Sequence, residues 1–327
     1  MTPSLSIDTA LVQWGERLFY PRVRQTKTLP APRLNALASR RASVIRNRIA
    51  ATVSRRALQV MVKVTGGGRG MAAIAAHFRY ISKNGRLDIE DERGVVDSGK
   101  EALRDLVDRW RHGGSLIEEM TPRREAFNVM LSMPQGTDPR AVLHAARAFA
   151  KVELKDHGYV MVLHEHQANP HVHLAARAES KFGTRLNPRK SDLHRWRETF
   201  AEKLRDLGIE AEATRRVTRG ATRTSTPLWQ LKAQEDGRAV HRRNLNKRPN
   251  PWRDSQVDAM EAWTHIAQAL GASERLEDRK LSGAVRRFMT EAPVVKEREA
   301  ARQKDAPVRV TPVVQHQERN QGPEIGR

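Results

Sequence analysis

The sequence predicts an α+β fold on an antiparallel sheet, and two observations predict it. Strand-like alternation and helix-like periodicity take turns between about residues 58 and 222. Two of the strands, 159–166 and 171–176, are separated only by a short turn through Asn169-Pro170, which suits a hairpin and leaves no room for a parallel crossover. Helices alternating with such a sheet are expected on one of its faces.

The elements follow in order. Segment 58–65 alternates Val60, Val62 and Val64 against Gln59 and Lys63, a strand. Gly66-Gly67-Gly68-Arg69-Gly70 breaks it. A helix over 70–83 follows, with Ile74, Phe78 and Ile81 at spacings of four and three, and Asn84-Gly85 turns the chain. Further helices are expected at 101–111, at 138–154 (Asp138 as cap, Pro139 as first residue) and at 191–207. Segment 127–133 reads as a strand stopped by Pro134-Gln135-Gly136. Beyond Arg223 the pattern loosens. A linker at 245–253 precedes helices at 256–270 and 276–290, and the polar stretch from Pro293 reads as disordered. Trp229, Trp252 and Trp263 among these cations fit helix anchors better than base-stacking platforms.

Charge and composition narrow the function. The 327 residues hold 59 Lys+Arg against 38 Asp+Glu, a formal charge of +21, which points to a polyanionic partner, nucleic acid first. Residues 1–60 hold 11 of those cations and 2 acids, so 1–57 reads as a basic extension with one helix near 33–57, able to lay cations along a phosphate backbone. The absence of Cys excludes disulfides, thiolate zinc sites and cysteine nucleophiles, and fits a reducing compartment. No apolar run reaches membrane-span length and no signal peptide opens the chain, so a cytoplasmic protein without membrane insertion is expected.

Four of the 12 histidines fall within ten residues, in His164-Glu165-His166-Gln167-Ala168-Asn169-Pro170-His171-Val172-His173. Residues two apart on a strand share a face, so His171 and His173 point one way, and His164 and His166 share a face on the neighbouring strand. Imidazoles converging without a carboxylate suit a metal, and three protein ligands leave positions open for chemistry. A histidine-triad nucleotide hydrolase needs a third alternate His, but Ala175 holds that place. The other phosphate chemistry of paired histidines uses a divalent ion and a tyrosine nucleophile. Of Tyr20, Tyr80 and Tyr159, the last has the wrong parity and suits the core. Tyr20 lies in the Pro-rich arm, and Tyr80 ends the helix after the glycine run, with Ala73, Ala76 and His77 on its face, a place that suits either packing at a helix end or a nucleophile.

These motifs together resemble the conjugative relaxases, the HUH nucleases of plasmid mobilization, in the branch that includes the agrobacterial T-DNA border nickase. The strand, glycine turn and helix at 60–85 with Tyr80 come first. Leu131-Ser132-Met133-Pro134-Gln135-Gly136-Thr137-Asp138 comes second and the His motif third, with 213–220 closing a nuclease domain at 58–222. Residues 223–327 then form a basic C-terminal region. The resemblance implies that Tyr80 attacks a phosphate at a transfer origin, leaving a 3′ hydroxyl and a 5′-phosphotyrosine, and that a second attack rejoins the strand. It implies His164, His171 and His173 as metal ligands and Ser132 at the DNA, beside the flanking cations Arg79 and Lys83. Mg or Mn is the implied ion, while imidazole ligands also suit Zn. Single-stranded DNA, relaxosome accessory proteins and a type IV secretion coupling protein are the implied partners. Where the family carries an acid, this chain has His166, which takes the catalytic role of a neutral base. A non-catalytic DNA-binding mobilization accessory protein and a rolling-circle replication initiator are the competing readings; the initiators usually place their histidines before the tyrosine.

Overall fold

The histidine hairpin lies inside a six-stranded antiparallel sheet. The computed structural model describes residues 6–20, 36–54, 57–165, 169–221, 233, 236–237 and 254–305. The strands are β1 (Leu58–Gln59), β2 (Met61–Gly66), β3 (Ile89–Asp91), β4 (Val96–Asp97), β5 (Ala126–Ser132), β6 (His157–His164), β7 (His171–Ser180) and β8 (Ala211–Glu212). The sheet order is β2-β5-β7-β6-β3-β4. β1 and β8 form a separate parallel pair, so the chain enters and leaves the sheet domain side by side.

Side-chain alternation divides the sheet into two cores. Val129 and Leu131 on β5, Tyr159 and Met161 on β6, and Val172, Leu174 and Ala176 on β7 face helices α5 (Pro139–Glu153) and α6 (Lys190–Arg205). The intervening residues Ala126, Val160, Val162 and Ala175 face α3 (Met71–Ile81) and α4 (Lys100–His112). The antiparallel α+β class is as expected, but the helices cover both faces and not one. The reason lies in β5, β6 and β7, where the alternate positions on both sides are apolar, so neither face can be left to water. Tyr159 packs in the α5–α6 core, as its parity predicts.

The glycine run positions α3. A Cβ on Gly67 would meet the Ala126 carbonyl oxygen at 2.3 Å, and one on Gly68 would meet Ile74 at 2.4 Å. Gly70 combines a positive φ of 92° with the Glu119 carbonyl oxygen 2.3 Å from its would-be Cβ. The first amides of α3 are already bonded, Met71 N–H to the Glu118 carbonyl and Ala72 N–H to that of Glu119. The run is thus a close-packing device and not a phosphate loop.

The N-terminal segment differs from the expected arm. It contains two helices, α1 (Ile7–Phe19) and α2 (Ala36–Val53), and both pack against α7 (Asp254–Gly271) and α8 (Leu276–Glu291) around Trp263. Arg46 forks onto Asp278 at 2.8 and 3.0 Å and reaches Asp8 at 2.9 Å, while Arg48 pairs with Glu198. These cations are therefore committed inside the protein. Of the stretch from Pro293, expected to be disordered, residues 293–305 form α9 (Pro293–Asp305), with Val294 buried in the same cluster, while 306–327 lie outside the described residues. The segment after β8 ties this unit to the sheet domain, because Thr218 donates to the Leu18 carbonyl at 2.6 Å and accepts from Trp263 Nε1 at its own carbonyl at 2.7 Å. Trp263 is an anchor, as expected, while Trp229 and Trp252 lie outside the described residues. Trp263→Ala should cost about 3–5 kcal/mol in urea unfolding, the range for an aromatic deleted from a filled core. A loss below 1 kcal/mol would show that the helices do not depend on it. Among the described residues no helix is long and apolar enough to cross a membrane.

Candidate active site

The register of the sheet brings the histidines together. Ser132, His171 and His164 are paired side by side across β5, β7 and β6, and His173 lies two residues along on β7, paired with Met130 and Val162. All point to the face that carries α3, since Val162 and Ala175 of that face pack on it. The ligand-capable nitrogens of His164, His171 and His173 lie within 4.8 Å of one another. The ring centroids are separated by 4.6 to 5.0 Å.

Backbone carbonyls orient two of the rings. His164 Nε2 donates to the Ile81 carbonyl at 2.7 Å, and His171 Nδ1 donates to the Asn169 carbonyl at 2.9 Å. A neutral imidazole that donates from one nitrogen keeps its lone pair on the other, so His164 presents Nδ1 and His171 presents Nε2. His173 Nδ1 is buried and has no hydrogen-bond partner among the described residues. Burial first, then the neighbouring imidazoles, holds the pKa of His173 down to about 3. Three converging imidazoles, one of them with an orphaned buried nitrogen, fit a divalent cation, which takes imidazole only in its unprotonated form.

Tyr80 stands at this cluster. The apolar face of α3 (Met71, Ile74, Phe78, Ile81) is buried against the sheet, which turns Tyr80 outward to 71% exposure. Its ring lies 6.3 Å from that of His173 and 6.4 Å from that of His77. The His164–Ile81 bond ties the end of α3 to β6. Arg79 and Lys83 are exposed on either side of Tyr80. Ser132 is in the histidine row but only 3% exposed, and its hydroxyl donates to the Pro170 carbonyl at 3.3 Å. It therefore braces the turn that carries His171. His166 lies outside the described residues.

His77 shares the face of Tyr80 on α3, and its surroundings go beyond what that spacing implies. Its ring also meets His173 at 6.4 Å, its Nε2 is buried without a partner among the described residues, and burial lowers its pKa to about 4. The i, i+3 spacing to Tyr80 was the available signal. The linkage has a definite sign. A folded pKa below the unfolded value of about 6.5 stabilises fully above that value, and the stability is lost as pH falls from 6.5 towards 4. In metal-free protein, His77→Phe should remove up to about 2 kcal/mol of the stability difference between pH 7 and pH 5. An unchanged difference in chemical denaturation at the two pH values would place His77 in water.

Residues 80–209 match the family model described as the relaxase, MobA/VirD2-like, nuclease domain. No curated protein matches the chain. The matched segment begins at the exposed tyrosine, spans the histidine hairpin, and is similar to the MobA/VirD2-like relaxase nuclease domain.

Proposed function

We propose that this chain nicks and rejoins one DNA strand at a transfer origin through a covalent bond to Tyr80, so starting the mobilization of a plasmid or integrative element. DNA nicking in mobilization is the activity of a relaxase nuclease domain; the residue roles are our reading. The observation that carries it is the exposed Tyr80 ring 6.3 Å from His173, in a cluster of three imidazoles able to bind one cation.

His164, His171 and His173 would hold the ion. When bound, a divalent metal supplies Lewis-acid polarisation of a non-bridging phosphate oxygen. Tyr80 Oη attacks the phosphorus of the scissile diester, and the bond to the 3′ oxygen breaks. The tyrosine proton passes to a neutral imidazole, for which the sequence offers His166, and from there through solvent to the departing 3′ oxygen, so no net proton is gained or lost. The products are a 5′-phosphotyrosine and a free 3′ hydroxyl. Attack by that hydroxyl reverses the step, and because the diester energy is kept, no nucleotide is hydrolysed. Arg79 and Lys83 offset the charge of the incoming backbone. Ser132 holds His171 in place through the Pro170 turn. Accessory proteins and a secretion coupling protein complete the reading as partners.

The test is a denaturing gel. Labelled single strands tiling the region beside the gene are incubated with protein and Mn or Mg. A retarded, protease-sensitive band supports the reading. Tight binding with no adduct on any strand would favour the accessory-protein reading.

A further inference from the structure

A cavity of about 800 Å³ opens beside the tyrosine helix, between the end of α3 and the start of α4. Arg79, Arg86, Lys100 and Arg104 line it, with Asp108 as its carboxylate and Leu103 and Val107 as its apolar floor. Its wall is a tight turn. Lys83, Asn84 and Gly85 all take positive φ (49°, 59° and 83°), and a Cβ on Gly85 would meet the Gly99 carbonyl oxygen at 2.5 Å. Non-glycine residues are seldom held in that region. The buried Ser82 hydroxyl fixes the turn, donating to the Phe78 carbonyl at 2.7 Å and accepting from Gly85 N–H at 3.0 Å.

The cations of this cavity differ from the others around it. Arg109, one turn along α4, reaches Asp91 and Asp97, and Arg147 grips Glu90 at 2.7 Å. Arg79, Arg86, Lys100 and Arg104 form no ion pair with any described residue. Four unpaired cations around a concave surface of nucleotide size ask for phosphate, and the apolar floor offers a surface for a base or sugar. Arg79 is the residue before Tyr80, so a strand with a phosphate at the tyrosine has its neighbouring nucleotides within reach of the cavity. The cavity carries no aromatic platform, so its grip is charge-based and not stacking.

We infer that this cavity binds a nucleotide of the strand flanking the nick, with Arg86, Lys100 and Arg104 on its phosphates; the inference rests on the strand-nicking reading above. It is tested by binding alone, on the full chain, in chelator. Fluorescein-labelled (dT)20 is titrated by anisotropy from 50 to 200 mM salt. Arg86→Ala/Arg104→Ala should weaken binding about tenfold and reduce the salt slope by about 1.4, the value for two contacts to a single strand. Arg86→Lys/Arg104→Lys should restore the slope. Lys155→Ala/Lys181→Ala removes the same charge at the far end of the β6–β7 hairpin and should stay within twofold of the parent. Equal effects of the two Ala pairs, or no effect of the first, would overturn the proposal and leave the cavity to another anion such as an acidic peptide. Failure to form a Tyr80 adduct would sink the nicking reading without altering these titrations, because they require no cleavage.

Discussion

Tyr80→Phe is expected to abolish the covalent DNA adduct completely while changing DNA affinity by less than about twofold. The substitution removes one hydroxyl and keeps the ring. The ring is 71% exposed, so its loss of packing is small, and the contacts with His77 and His173 are ring contacts that Phe preserves. The apolar side of α3 that holds the helix to the sheet is untouched. Only the nucleophilic oxygen is lost, and the neighbouring hydroxyls of Ser82 and Ser132 are buried and donate to backbone carbonyls. Adduct yield on a denaturing gel and affinity by anisotropy separate the two effects. An adduct that survives the substitution would move the nucleophile elsewhere.

His173→Ala is expected to remove metal binding and nicking together. His173 is central to the cluster: its ring is 4.6 Å from His164, 5.0 Å from His171 and within 6.4 Å of both His77 and Tyr80. The remaining two imidazoles would bind a divalent cation weakly, and polarisation of a phosphate is worth several kcal/mol, so a rate loss of at least about a hundredfold follows. Isothermal titration with Mn, paired with the adduct assay, reads both. A variant that loses nicking yet binds Mn like the parent would show that His173 acts on Tyr80 or on DNA and is not a ligand.

The site was more legible in the sequence than the fold around it. Alternation alone places His171 and His173 on one face, and the short turn at Asn169-Pro170 sets His164 beside His171; the register bears out both. Tyr80 was singled out by its place at the end of the helix after the glycine run and by the resemblance, and its ring stands 6.3 Å from that of His173. What escaped was long-range. β3 and β4 hold only three and two residues, and the acids Glu90 and Asp91 hide their strand character. Those acids are tolerated because Arg147 and Arg93 pair with them. The basic composition of residues 1–57 suggested a free arm, since the apolar spacing of Leu11, Leu18 and Phe19 becomes meaningful only once α7 is seen to receive it. The partners of Arg46 and Arg48, Asp278 and Glu198, are too distant in sequence to be inferred from it. The cavity lined by Arg86, Lys100 and Arg104 likewise exists only through the contact of Gly85 with Gly99, whose amide donates to the Gly85 carbonyl at 2.8 Å.

The most direct test of the account is to identify the residue bonded to DNA. The wild-type protein is incubated with Mn and the single strand that gives the adduct, digested with nuclease and protease, and sequenced by mass spectrometry. The account predicts one nucleotide-bearing peptide, with the phosphate on Tyr80. A phosphate carried by any other residue, or by none on every strand tested, would contradict it.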